Sequence, residues 1–134
     1  LKAFLNELKR QNRRPKRLEY HLTAKDGLDA SWFRRACEEN LHGVIPEPFS
    51  VTFFRWREQT EGEQFHGRYV LTERGGVRID AGLDKGKTGQ TTPITLLEPA
   101  EHSLQLSQFD IQSSVFDLQD RPLLVGHTGY IEDQ

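Results

Sequence analysis

Two side chains suited to a phosphate ligand, His66 and Arg68, are two residues apart in a segment with a strand-like pattern. Residues two apart in a strand leave the same face, so both side chains can contact one ligand. An imidazole can act as a nucleophile or proton carrier near neutral pH, and a guanidinium grips a phosphate through two hydrogen bonds. The pair predicts a phosphate-ligand site. The competing interpretation is a polar strand face with an Arg68–Glu73 ion pair.

Further charged residues follow this pair along the chain. Glu73 comes next on the same predicted hairpin, and the glycines after it indicate a turn that brings the chain back. The returning strand then ends at Asp84, which we expect close to His66. Lys85 and Lys87 follow in a polar, glycine-containing loop. We expect this loop to form the rim of the site, where the two ammonium groups can contact a ligand phosphate.

The pattern resembles the motif of the phospholipase D superfamily, in which His-x-Lys-x4-Asp is followed by Gly-Ser-x-Asn. Here the residues are His66-x-Arg68-x4-Glu73, followed after the predicted hairpin by Gly82-Leu83-Asp84. The arginine and the Gly-Leu-Asp return are similar to one branch of that superfamily. This branch is the phospholipase D-like domain at the C-terminus of proteins with a microtubule-interacting and trafficking (MIT) domain, together with its bacterial relatives.

The resemblance implies a mechanism and roles for individual residues. His66 would attack phosphorus, Arg68 would bind the phosphoryl oxygens, and Glu73 would orient a histidine. Asp84 would lie near the asparagine position of the motif. This chemistry implies no metal and no other cofactor. Because the chain carries one copy of the motif, a complete site implies a homodimer, in which the domain would act as a phosphodiesterase or nuclease.

The ligand that the resemblance implies is a phosphodiester or phosphorylated compound, such as a nucleic acid or a lipid headgroup. Three residues depart from the superfamily pattern, with arginine in place of lysine, glutamate in place of aspartate, and Asp84 in place of asparagine. Asp84 adds negative charge beside a site that must hold an anion. The alternative is therefore a catalytically inactive interaction domain that docks a larger protein.

Composition places the chain among single soluble domains. Its 134 residues match one domain, 1–134, and 28% of them are charged with a net charge of −2. Residue 1 is leucine and methionine is absent, so we expect a domain excised from a longer protein whose other domains are its partners. A lone cysteine, Cys37, permits no internal disulfide and fits a cytoplasmic location. No apolar run approaches the ~20 residues that span a bilayer.

The spacing of apolar residues predicts an α/β fold, with a single mixed, largely antiparallel sheet packed by helices as in phospholipase D-like domains. Helices are predicted over residues 1–12, 28–43 and 98–109, although the alternation of Leu104 and Leu106 would also suit a strand in the last of these ranges. Strands are predicted over residues 17–24, 49–58, 65–72 and 77–83. The short linkers between the last three strands predict an antiparallel meander. Residues 115–127 are expected to return as one extended segment, followed by a mobile acidic tail.

Two groups of apolar residues are assigned to the core by this pattern. The helix over residues 28–43 presents an inward face made of Trp32, Phe33, Ala36 and Leu41. The strand over residues 49–58 carries three large aromatic residues, which strands usually bury. Cys37 is interpreted as a packing residue of the same helix.

Overall fold

The computed structural model describes residues 1–65, 67–80, 87–129 and 131–133. These ranges contain three helices and eight strands, in the order α1 (Lys2–Arg10), β1 (Glu19–Thr23), α2 (Ala30–Leu41), β2 (Ser50–Glu58), β3 (Tyr69–Thr72), β4 (Gly75–Ile79), β5 (Ile94–Leu96), α3 (Pro99–Gln108), β6 (Phe116–Leu118), β7 (Leu123–Gly126) and β8 (Ile131–Asp133). The mixed α/β class predicted from the sequence is confirmed. The longest of these helices has 12 residues, and none is long and apolar enough to cross a membrane.

The chain forms two compact units. The larger unit combines Leu1–Arg57 with Asp117–Gln134, and the hairpin unit comprises Glu58–Phe116. Each unit has its own sheet. The expectation of a single sheet is therefore wrong for the described residues, although antiparallel pairing does predominate.

The larger unit contains a mixed sheet with the strand order β1-β2-β7-β8, and β6 also pairs with β2. β1 runs parallel to β2, whereas β7 is antiparallel to both β2 and β8. Parallel neighbours need a crossover rather than a tight turn, and α2 supplies it. This β1–α2–β2 unit places the start of α2 after the carboxyl end of β1.

The ends of α2 follow the capping pattern in the sequence. The Asp29 carboxylate accepts a hydrogen bond from the Trp32 backbone N–H at 2.8 Å, which satisfies a donor that the first turn leaves free. At the other end, Gly43 has φ +66°, a conformation that glycine adopts without strain. The predicted inward position of Trp32 is wrong, because its side chain is 45% exposed. Phe33, one residue later, packs against the core instead.

The core of the larger unit lies between its sheet and the helices α1 and α2. Leu5 from α1 and Cys37 from α2 are buried against strand residues of β2 and β7. The aromatic residues of β2 are buried as predicted, namely Phe53, Phe54 and Trp56. Apolar burial of this kind is the main stabilising contribution to a fold of this size.

Cys37 is a packing residue, as the sequence predicted, and its burial raises the pKa of the thiol to about 11. The nearby Arg55 guanidinium opposes this rise only in part. Because the thiolate is the reactive form, we expect native Cys37 to react with a disulfide reagent at pH 8 about two orders of magnitude more slowly than a free cysteine. Stopped-flow thiol titration of native and urea-unfolded protein measures this ratio. Equal rates in the two states would contradict it.

The hairpin unit contains a three-stranded antiparallel sheet in the order β3-β4-β5, with α3 following β5. The predicted meander of β2, β3 and β4 is therefore wrong in one of its three strands. β2 lies in the sheet of the larger unit, and β5 takes the third place beside β4. The linker between β2 and β3 is short enough for a hairpin, but both edges of β2 are already paired within the larger unit, with β1 on one side and β7 on the other. The predicted helix over residues 98–109 is confirmed as α3, with Pro99 in its first turn.

The β3–β4 hairpin turns at a different place from the one predicted. Thr72 pairs with Gly75, so the turn consists of Glu73 and Arg74, and both glycines belong to β4. Gly76 is needed for close packing rather than for turning. A Cβ at this position would lie 2.6 Å from Leu71 Cδ2 and 3.1 Å from Leu97 Cδ1.

The C-terminal part of the chain also differs from expectation. Residues 115–127 form two short strands, β6 and β7, rather than one extended segment. Pro122, which lacks a backbone N–H donor, stands directly before β7. The acidic tail contributes β8, whose backbone pairs with the open edge of β7. An unpaired strand edge is a template for pairing with a further strand. β8 covers the edge of β7 that a mobile tail would leave open.

Candidate functional site

The residues predicted to contact a ligand are only partly within the described ranges. His66, Asp84 and Lys85 lie outside them. Arg68 directly precedes β3, and its carbonyl oxygen accepts a hydrogen bond from the Ile79 backbone N–H at 2.8 Å. This bond extends the β3–β4 ladder by one residue and fixes the backbone from which the Arg68 side chain projects.

The side chain of Arg68 is exposed. Within the described part of the chain, no carboxylate lies within 4.0 Å of its guanidinium. Arg78 on the adjacent strand differs, because its Nε donates a hydrogen bond to Asp80 Oδ1 at 2.9 Å. Among the described residues, Arg78 therefore has an acidic partner, whereas Arg68 has none.

Of the other two described candidates, Glu73 lies away from Arg68 along β3. Glu73 occupies the β3–β4 turn and is exposed. Four strand residues separate it from Arg68, which at about 3.3 Å per residue is more than about 13 Å. Lys87 is also exposed, and its backbone N–H donates a hydrogen bond to Gln90 Oε1 at 2.7 Å.

Gly67, which precedes Arg68, packs directly against an aromatic ring. A Cβ at this position would lie 1.7 Å from Tyr69 Cε2, so any larger residue would displace the ring or the backbone. Gly67 and Phe65, the two sequence neighbours of His66, both line a cleft of about 90 Å³. Gln108, a polar residue that is 92% buried, also lines this cleft.

Three phenylalanine rings hold the backbone before position 66. Phe65 packs edge-on against Phe109 at 5.2 Å between ring centroids, and it also contacts Phe116 at 5.2 Å. Its backbone N–H donates a hydrogen bond to Glu58 Oε1 at 2.7 Å. The two flanks of position 66 are therefore fixed by packing, on one side by this aromatic cluster and on the other by the contact of Gly67 with Tyr69.

A second cavity, of about 230 Å³, lies in the larger unit. We call it the arginine cavity, because three of its lining residues are Arg34, Arg55 and Arg121. Its other lining residues are Ala30, Phe33, Phe53, Asp120 and Leu123.

Arg55 is the buried charge of the arginine cavity, with a side chain only 4% exposed. Its guanidinium donates hydrogen bonds to the Leu28 and Asp29 carbonyl oxygens, the latter at 2.9 Å. It also lies over the Phe33 ring, 4.8 Å from the ring centroid. Asp120 Oδ2 lies 3.0 Å from Arg55 Nη1, and this ion pair compensates the buried positive charge.

The ion pair between Arg55 and Asp120 is electrostatic rather than a well-aligned hydrogen bond. Asp120 Oδ2 is buried, and no donor among the described residues meets it with hydrogen-bond geometry. Arg55 was not among the site residues predicted from the sequence. The spacing of Val51, Phe53 and Arg55 could have indicated its burial. Residues two apart in a strand share one face, and here that face otherwise points to the core.

Comparison with known proteins identifies no relative of this chain. No family model matches the sequence. No curated protein matches it. No solved structure matches it either. Within the described ranges, no three histidine, cysteine, aspartate or glutamate side chains come together as a possible metal site.

Proposed function

We propose that this chain is a phospholipase D-like domain that binds a phosphodiester or phosphorylated ligand, a nucleic acid or a lipid headgroup, through His66 and Arg68. One observation carries the proposal. The exposed Arg68 guanidinium projects from an ordered hairpin backbone and has no acidic partner among the described residues. An uncompensated guanidinium of this kind favours a phosphate, which it can bind through two parallel hydrogen bonds.

The motif resemblance supports the same assignment. In the phospholipase D pattern, the position of Arg68 is the one that binds phosphoryl oxygens, and His66 is the one that attacks phosphorus. The tight packing of Phe65 and of Gly67, which directly precedes Arg68, supports a defined backbone at Arg68. Binding requires the arginine alone, whereas hydrolysis also requires the histidine and, for a complete site, a second copy of the chain.

The test of binding uses a matched pair of arginine variants. We expect Arg68→Gln to raise the Kd for a short single-stranded oligonucleotide, or for vesicles containing phosphatidic acid, by about tenfold, because a charge-assisted contact to phosphate is lost. Arg78→Gln is the control, since Asp80 already neutralises that arginine. Fluorescence anisotropy measures the first ligand and vesicle sedimentation the second. Similar Kd values for the two variants would refute the assignment of Arg68.

Hydrolysis is tested separately with bis(p-nitrophenyl) phosphate in the presence of a chelator. Turnover that His66→Ala abolishes supports a phosphodiesterase acting as a homodimer. Binding without turnover supports the docking domain, which recognises the phosphate without cleaving it. Analytical ultracentrifugation of the active preparation then shows whether two chains associate, as a one-motif chain requires for a complete site.

A further inference from the structure

The larger unit presents a run of basic residues between α1 and β1. We call residues 9–17 the basic segment. It contains no acidic residue and six basic ones, namely Lys9, Arg10, Arg13, Arg14, Lys16 and Arg17. Every residue of the segment is exposed. Because the whole chain has a net charge of −2, the segment is a local concentration of positive charge on a weakly acidic protein.

Ion pairs neutralise two of these six side chains. Arg10 Nη2 lies 2.6 Å from Glu7 Oε1, and Arg17 Nε lies 3.0 Å from Glu19 Oε1. The other four have no carboxylate within 4.0 Å among the described residues, namely Lys9, Arg13, Arg14 and Lys16. A cation in the last turn of a helix interacts favourably with the carbonyl groups there, which accounts for Lys9. That effect does not account for the three cations beyond the helix.

The backbone holds the basic segment at both of its ends. The Arg13 N–H donates a hydrogen bond to the Leu8 carbonyl oxygen at 2.8 Å, and Asn12 before it has φ 51°. This is the Schellman ending of a helix, which fixes the direction in which the chain leaves α1. After the segment, the Leu18 carbonyl oxygen accepts a hydrogen bond from the Thr52 N–H of β2 at 2.9 Å. An ordered backbone lowers the entropy lost when the side chains bind a ligand.

The side chains of the basic segment favour the phosphates of a nucleic-acid duplex. Four of them are arginines, whose planar guanidinium binds a phosphate through two hydrogen bonds. The segment contains no aromatic residue, so it offers no ring on which an unpaired base could stack. A duplex hides its bases and presents a dense row of phosphates, about one charge per 1.7 Å of helix axis in DNA. Duplex phosphates therefore match the segment better than a single strand does.

An anionic membrane is the other polyanion that a basic segment can meet. Helices that bind a membrane surface insert an apolar face among the lipid headgroups. In α1 most of that face is already used, because Leu5 is fully buried and Leu1 and Leu8 pack against the same core. The basic segment itself has no apolar side chain apart from Pro15. These observations favour the duplex over the membrane.

We propose that the basic segment binds the phosphate backbone of a nucleic-acid duplex, independently of base sequence. The four cations without an acidic partner supply the contacts to phosphate. This surface belongs to the larger unit, so it is separate from Arg68 and does not depend on the function proposed for the hairpin.

Fluorescence anisotropy of the whole chain with a labelled DNA duplex, at several salt concentrations, tests the proposal. Each neutralised phosphate contributes about −0.9 to the slope of the logarithm of the association constant against the logarithm of salt concentration, so four contacts predict a slope of about −3.6. The double variant Arg13→Gln with Arg14→Gln should raise the Kd at low salt by at least about tenfold, because two charge-assisted contacts are lost. It should also make the slope less steep by about 1.8.

Two matched double variants serve as controls. Lys25→Gln with Arg35→Gln removes the same charge from two exposed residues of the larger unit outside the basic segment, and it should leave the slope unchanged. Arg13→Lys with Arg14→Lys keeps the charge and should retain the wild-type slope and most of the affinity. Because both arginines are exposed, their glutamine variant should fold normally, which far-UV circular dichroism checks.

Each outcome supports or overturns the proposal. A weaker and less salt-dependent affinity in the glutamine variant of the basic segment, with the Lys25 and Arg35 control unchanged, supports it. An absence of duplex binding, a strong preference for one base sequence, or an equal loss in that control overturns it. Binding to phosphatidylserine vesicles but not to the duplex, lost in the glutamine variant, overturns it in favour of a membrane surface. Loss of duplex binding in Arg68→Gln alone overturns it while supporting phosphate recognition at the hairpin, so the two proposals fail separately.

Discussion

Replacing Leu5 with alanine should lower the free energy of unfolding by about 3 to 5 kcal/mol, the range for truncating a fully buried leucine. The Leu5 side chain is 0% exposed and belongs to the core cluster that contains Val51 and Val125. It is the buried residue of α1, so its loss removes the contact that holds this helix to the sheet. Because small domains are stable by only about 5 to 15 kcal/mol, the variant should be close to unfolding at ambient temperature.

Phe4→Ala is the matched control for this experiment. Phe4 precedes Leu5 in α1 and loses more atoms on truncation, but its side chain is 42% exposed. We expect a change of about 1 kcal/mol or less, because partly exposed apolar area contributes less on burial. Urea unfolding followed by circular dichroism measures both variants. A larger loss for Phe4→Ala than for Leu5→Ala would show that α1 does not pack through Leu5.

Replacing Asp120 with alanine should destabilise the chain by about 3 kcal/mol, because it leaves the Arg55 cation buried without its carboxylate. Two carbonyl oxygens and the Phe33 ring would remain as partners of the guanidinium. These partners carry only partial charges, so they cannot replace a full negative charge. The loss is measured by urea unfolding at neutral pH and low salt.

Two further variants test the cause of that loss. Asp26→Ala removes an exposed aspartate from the turn before α2 and should change stability by less than about 0.5 kcal/mol. The double variant Arg55→Met with Asp120→Leu removes both charges and should recover most of the stability, since apolar residues of similar size can replace a buried ion pair. No recovery in the double variant would mean that Asp120 acts through something other than the charge of Arg55.

Local patterns were sufficient to place the three described helices. The Asp29 cap, Gly43 and the apolar residues between them defined α2, and Pro99 marked the start of α3. The aromatic residues of β2 indicated a buried strand. Such signals depend on residues within a few positions of each other, which is why they can be read without the tertiary structure.

Strand pairing could not be obtained in the same way. β2 was assigned to a hairpin with β3 because the linker is short, whereas it pairs with β1, β6 and β7. Loop length permits a hairpin but does not require one, and here β1 and β7 occupy the two edges of β2. The exposed Trp32 shows the same limit of local patterns. Helical spacing identifies the apolar face of a helix, but it does not say how much of that face the neighbouring elements cover.

The sequence by itself determined the α/β class, the positions of the three helices and the chemical character of His66 and Arg68. The tertiary structure alone decided that Arg78 pairs with Asp80 while Arg68 has no acidic partner among the described residues, and that Glu73 lies at the far end of β3. It alone assembled the arginine cavity, whose residues come from α2, from β2 and from the segment after β6. The physical reason is that ion pairing and burial depend on residues distant in the chain, which no local pattern brings together.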